Sequence, residues 1–280
     1  MQINNYFNLK RFSRLLKQDL LINKTKYLLT LIGLGLITYL FLYWFLSINK
    51  VNMSENEYAI HQTYISCFMF YMLAVGVVIG TAFPELSDKI KASNYLLSPA
   101  STFEKVTLQF LLRIILFVPI ALGIFWIAVR LAKASLSPEM VNFNLGKQLI
   151  DPTKIPYFEF HFLITRSANV IFETSAIIIM IFGLFSYGMY LFAGATYFKR
   201  YALIKTVIAS IVLFVISILF TVLLSHIFYP QETHGFSTQP HPFYVTKNLE
   251  SGELFIVMLS ILSWVFFLPF AYFKLKEKEA

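Results

Sequence analysis

Long apolar runs, broken by short polar islands, set the pattern of this chain. The runs lie at about 27–48, 63–83, 106–130, 168–198, 206–228 and 254–273. At about 1.5 Å of rise per residue, a run of about 20 residues crosses a hydrocarbon core of about 30 Å. The pattern predicts an all-α membrane protein of six transmembrane helices, forming a single transmembrane domain over 1–280. Several runs carry local marks. Tyr43 and Trp44, near the far end of the first, suit an interfacial aromatic belt. A polar loop is expected at 49–62. Gly76 and Gly80 in the second run leave a groove for close helix approach, in a dimer or inside one chain. In the third, the uninterrupted apolar part is only 114–129, so Arg113 lies near the inner interface, snorkelling or paired. Pro119 is a kink candidate. The fourth is longer than a bilayer needs, which predicts tilt or an end outside lipid. Glu173, near its outer end, reads either as an interfacial residue meeting water or Arg166, or as a carboxylate on a substrate path.

Before the first run, residues 1–26 hold six basic residues against Asp19. Leu9, Phe12, Leu15, Leu16 and Leu20 recur at helical spacing, and Lys10, Arg11, Arg14 and Lys17 fall largely on other faces. This predicts an amphipathic helix at the inner membrane surface, its cations on anionic lipid. The alternative is a basic flank that only fixes orientation.

Composition agrees with the membrane class: 58% of the 280 residues are hydrophobic and 14% charged, against about 45–50% and about 25% in soluble domains. The net charge of +8 invites a nucleic-acid reading, but the basic residues cluster at run ends, as the positive-inside bias requires. No nucleic-acid partner is expected. Six spans put both termini on one side. Sixteen of the 23 basic residues fall on the termini and on the loops after the second and fourth spans, so that side is cytoplasmic. Residues 131–167 and 229–253 become outer segments, and the first can hold a short surface helix. The lone cysteine, Cys67, excludes an intramolecular disulfide.

The polar island at 84–113 concentrates the remaining signals. Ser101 and Glu104 have the capping-box spacing, a hydroxyl followed three residues later by a carboxylate. They start a helix that runs into the third span; Ser98 with Pro99 is the alternative start. Residues 85–97 can form a short helix before it. The island is either a plain connecting loop or a coupling helix that passes motion from a motor subunit to the spans.

Candidate chemistry is mostly excluded. The chain has no phosphate-binding Gly-x4-Gly-Lys-Ser/Thr loop, no His-Glu-x2-His zinc helix and no Gly-x-Ser-x-Gly elbow. His226, His234 and His241 match no established zinc spacing, so no metal, cofactor or catalytic residue is expected. Ionisable groups are scarce at mid-membrane depth, where ion-coupled carriers keep them. Any energy source is therefore expected on a separate cytoplasmic ATPase.

The layout of basic N-terminal helix, six spans, helical loop between spans two and three, and extended outer segment resembles the permease subunit of an exporter-type ABC transporter. NYLLSPASTFEK at 94–105 and YLFAGATYFKRYALIKT at 190–206 are similar to small Bacteroidetes-type permease-like proteins. No importer-type Glu-Ala-Ala loop is present. The resemblance implies a bacterial inner-membrane protein, itself not an enzyme. It would work as a homodimer or as a heterodimer with a related permease, with ATP hydrolysed on a separate ABC ATPase subunit. It implies a coupling segment at 84–105, with a coupling helix at 87–97 and Ser87, Asp88, Lys89, Lys91, Tyr95 and Leu96 as docking residues. It also implies an interface helix at 10–20 and an outer gate at 229–251. A non-transporting membrane scaffold is the alternative, and the transported substrate is not specified.

Overall fold

The computed structural model describes residues 6–55, 57–143, 146–150, 155–160, 174–198, 201–228, 244–246 and 249–279. It is helical, with two small hairpins. Among the described residues, five helices are long and apolar enough to cross a membrane, at Leu9–Asn49, Gln62–Ile79, Thr102–Ala134, Ala202–Phe220 and Val257–Glu279.

Helix α1 is a single 47-residue helix, Leu9–Glu55, about 70 Å long. The helix runs on without an end between the expected interface helix at 1–26 and the expected first span, and neither glycine nor proline occurs from Leu9 to Ile32 to break it. Protein covers the middle of the expected amphipathic face, while Leu9 and Leu20 stay exposed. Leu15 packs with Leu108 and Leu112, and Phe12 and Leu16 pack alongside, so that part of the face does not meet lipid headgroups. The polar loop expected at 49–62 is likewise mostly helix. After α1 ends at Glu55, α2 spans Glu57–Ile79, again with no helix breaker in the sequence between them.

A left-handed Phe83 (φ 56°) turns the chain after α2 into a 3-10 turn, Pro84–Ser87. Helix α3, Lys89–Leu96, follows; Asp88 caps it by accepting from the amides of Ile90 and Lys91. Helix α4, Thr102–Phe110, continues through a π-helical turn at Leu111–Leu116 into α5, Phe117–Ala134. The ladder widens just ahead of Pro119, which cannot donate and whose ring crowds the carbonyl of Ile115. Where a surface helix was considered after α5, the described residues form a hairpin instead. Strand β1, Glu139–Phe143, pairs antiparallel with β2, Gly146–Ile150, Glu139 standing opposite Ile150.

Helix α6, Thr174–Tyr197, is a 24-residue apolar helix, and α7 is Ala202–Phe228. Strands β3, Tyr244–Thr246, and β4, Leu249–Glu250, make the second hairpin. Helix α8, Ser251–Glu279, carries the expected charged tail as helix rather than as an extension beyond it.

The helices pack as α5 on α1, α1 on α2, α2 on α6, and α6 on both α7 and α8, while α4 reaches α8. Gly76 and Gly80 face α6 inside one chain. A Cβ at Gly76 would stand 3.3 Å from the Tyr187 ring, and one at Gly80 3.0 Å from Leu191 Cβ; Gly188 answers from α6, 3.1 Å from Ile79. Small residues thus let the two backbones close up where lipid supplies no hydrophobic drive.

The bundle has two distinct ends. At one, the N-terminal part of α1, the 84–105 segment and the C-terminus of α8 meet, as the Asn23–Glu85 and Lys105–Glu279 contacts record. At the other, Tyr39 meets Ser135, Tyr64 donates to the Pro156 carbonyl, and the Lys133 ammonium sits 3.4 Å from the Tyr157 ring centroid.

Candidate functional site

The end that gathers both terminal helices also gathers most of the described buried polar side chains, and five of them, Asp19, Asn23, Lys105, Gln109 and Arg113, belong to two stripes. Asp19, Asn23 and Tyr27 recur every four residues on α1. Lys105, Gln109 and Arg113 recur every four residues from α4 into the π-helical turn. A spacing of four lines up one helix face, so each stripe presents its polar groups to a neighbour.

Where the stripes meet, Gln109 donates to Asp19 at 3.4 Å, and Tyr27 donates to the other Asp19 oxygen at 2.6 Å. Asn23 donates to Asp19 at 3.2 Å and to Glu85 of the 3-10 turn at 3.1 Å. Arg113 is buried, donates to the Thr81 carbonyl at 3.4 Å, and lies 5.0 Å over the Tyr27 ring. Among the described residues no carboxylate comes within ion-pair distance of Arg113, although Asp19 and Glu85 lie near enough to act on its charge. Arg113 is held by a carbonyl at the end of α2 and by an aromatic face.

A second knot ties α3 and α4 to the C-terminus. The Lys105 ammonium donates to the Leu96 carbonyl at 2.9 Å and pairs with Glu279 at 2.8 Å. Thr102 donates to the same Glu279 carboxylate. Lys105 also faces the Tyr95 ring at 5.4 Å.

The third knot is the helix cap. Ser101 accepts from the Glu104 amide at 3.2 Å and Glu104 accepts from the Ser101 amide at 2.9 Å, which completes the capping box. Ser98 is not the cap. Glu104 then reaches α1: it accepts from the Asn8 amide at 2.6 Å and pairs with Arg11 at 3.1 Å. One carboxylate thus serves as helix cap and as interhelical clamp.

Of the six expected docking residues, Tyr95 and Leu96 belong to this network through Lys105, and Asp88 caps α3. Lys91 is exposed on α3, and Ser87 and Lys89 occupy the 3-10 turn and the first position of α3. Glu173 and residues 229–243 and 247–248 of the expected gate at 229–251 lie outside the described residues, His234 and His241 among them. Sequence reading missed the pairing of the stripes. The signal was present in the four-residue spacing of Asp19, Asn23 and Tyr27, polar positions within a run read for its leucines.

Between α1, the 3-10 turn and α3 the network opens into a cleft of about 280 Å³. Asp19, Asn23, Glu85 and Tyr95 line it, with Lys26 and Lys91 on its wall. Several buried atoms there have no hydrogen-bond partner among the described residues: Asn23 Oδ1, Glu85 Oε2 and the Tyr95 hydroxyl, with Gln109 Oε1 and Arg113 Nε nearby in the network. Burial, followed by the carboxylates of Glu85, Asp19 and Glu279, pushes the Tyr95 phenol well above its ordinary range. Its hydroxyl therefore keeps its proton. Among the described residues no group of His, Cys, Asp and Glu side chains gathers as metal ligands do. The chain matches no protein-family model, and comparison with curated proteins and with solved structures finds no match.

Proposed function

We propose that this chain is the membrane-spanning subunit of an ABC-type exporter, embedded in a bacterial inner membrane and driven by a separate ATPase. In this reading α6 is the fourth span and brings the five to six, the polar end faces the cytoplasm, and the N-terminal part of α1 stands at the inner interface. A second permease subunit, identical or related, completes the pathway. Helix α7 exposes apolar side chains on every side from Ile211 to Phe220, a surface for lipid or for that second subunit.

The observation that carries the reading is the character of α3. This short helix lies between two apolar spans, yet it exposes Ile90 (74%) and, at its C-cap, Leu97 (81%). Apolar side chains displayed beside Lys91 at the polar end suit a protein groove. The other side of α3 is keyed to the spans through Tyr95 and Leu96, which meet Lys105 of α4, itself tied to α8. A push on α3 therefore reaches two spanning helices as a rigid-body displacement.

The test is co-purification. Tagged chain extracted in mild detergent should retain an ATPase subunit. Combining Ile90→Asp with Leu97→Asp should cut that retention by about tenfold or more, the loss of roughly one interface hot spot, while membrane insertion stays intact. Absence of any ATPase, or retention indifferent to both substitutions, favours a non-transporting scaffold instead.

A further inference from the structure

The cleft beside Asp19 has a chemistry that the exporter reading does not use. Its floor is rich in acceptors. Asp19 already takes three donors, from Asn23, Tyr27 and Gln109, but Glu85 Oε2 and Asn23 Oδ1 have none among the described residues. Asn23 is only 2% exposed and lines the cleft, so its carbonyl oxygen cannot count on bulk water. A buried acceptor left unmade costs about 1–3 kcal/mol. Two carboxylates face one guanidinium, that of Arg113, in the same network. With one guanidinium against two carboxylates, the floor is short of a second positively charged donor.

The wall has the opposite sign. Lys26 and Lys91 line the same cleft, and Leu15 and Ile22 add apolar surface. The cleft lies on α1, next to the apolar stretch expected to enter lipid, so a bilayer component reaches it without leaving the membrane.

We propose that the cleft binds the headgroup of an aminophospholipid. The primary ammonium would donate to Glu85 Oε2 and Asn23 Oδ1, the phosphate would meet Lys26 and Lys91, and the glycerol end would leave past Leu15 and Ile22. A quaternary ammonium offers no N–H and leaves both acceptors unmade. An anionic headgroup without an amine meets only the lysines.

Purified full-length chain is placed in nanodiscs containing phosphatidylethanolamine, phosphatidylcholine or phosphatidylglycerol, and the lipid retained after detergent exchange is counted by native mass spectrometry. Retention of phosphatidylethanolamine should exceed that of the other two by about tenfold, the value of one charge-assisted hydrogen bond. Glu85→Gln should bring it down to the phosphatidylcholine level, with thermal stability in lipid-free detergent reporting that the fold is intact. Lys26→Gln with Lys91→Gln should weaken phosphatidylethanolamine and phosphatidylglycerol alike. Equal retention of phosphatidylethanolamine and phosphatidylcholine overturns the assignment. So does full retention by a folded Glu85→Gln protein, or binding of soluble phosphoethanolamine without the lipid. Binding of the ATPase is not part of this readout, so the site and the exporter reading stand or fall separately.

Discussion

Replacing Glu104 by alanine should destabilise the protein by about 2–3 kcal/mol, a lost helix cap together with a lost charge-assisted hydrogen bond. Glu104 is fully buried in side-chain terms, whereas Arg11 keeps 31% exposure. The substitution removes the acceptor for three donors at once: the amides of Ser101 and Asn8 and the Arg11 guanidinium. The cap term alone is worth about 1 kcal/mol; the remainder comes from the lost contacts to the Asn8 amide and Arg11 and from freeing the start of α1. Glu104→Gln keeps an acceptor oxygen and should cost less. Arg11→Met should also cost less, because Arg11 already meets solvent. Denaturant or thermal unfolding in a fixed detergent gives the ranking. An Arg11→Met loss as large as that of Glu104→Ala would mean the clamp acts through the arginine and not through the cap.

The helical class and the positions of the apolar runs follow from hydropathy, because lipid admits few structures other than helices for segments of that length and composition. The Ser101–Glu104 cap was legible for a similar reason: its two partners lie three residues apart, so local spacing holds the whole interaction. What sequence could not supply was the partner across space. Glu104 is a cap residue in the sequence and a clamp in the fold, because Asn8 and Arg11 approach from nearly a hundred residues away. Asp19 looked like a lone acid in a basic stretch, yet it is the acceptor centre of a buried network. The change from charged to apolar composition near residue 26 marks no helix end. A helix ends where the backbone can end it, and α1 meets no proline or glycine there. Lys105 was counted as a topology signal; its 1% side-chain exposure and its contacts with Leu96 and Glu279 make it a structural link.

The same dependence on distant partners sets the second large effect, at Gly194. Gly76 and Gly80 stood out in sequence because they form a spaced pair, but Gly194 is the tighter contact. A Cβ there would collide with the Thr206 side chain, whose own Cβ stands at 2.9 Å. That atom is fixed to the α7 backbone, so a rotamer change cannot relieve the clash, and α7 must move. Thr206 is 1% exposed and donates to the Ala202 carbonyl of its own helix at 2.7 Å, so it is well fixed in place. Gly194→Ala should therefore cost about 1–3 kcal/mol, the range for overpacking, although alanine is the better helix former by about 1 kcal/mol. The sign is the diagnostic point, since at an open helical glycine such as Gly123, with nothing near its Cβ position, the same change should stabilise. Thr206→Gly restores the space, so the Gly194→Ala, Thr206→Gly double variant should lose less than the sum of the two single losses. Additive losses in that cycle, or a stabilising Gly194→Ala, would show that α6 and α7 do not pack at this contact. Among the described residues α7 is exposed on every side from Ile211 to Phe220 and packs on α6 through this crossing near its start, so α7 should be the first helix to separate when the crossing is blocked.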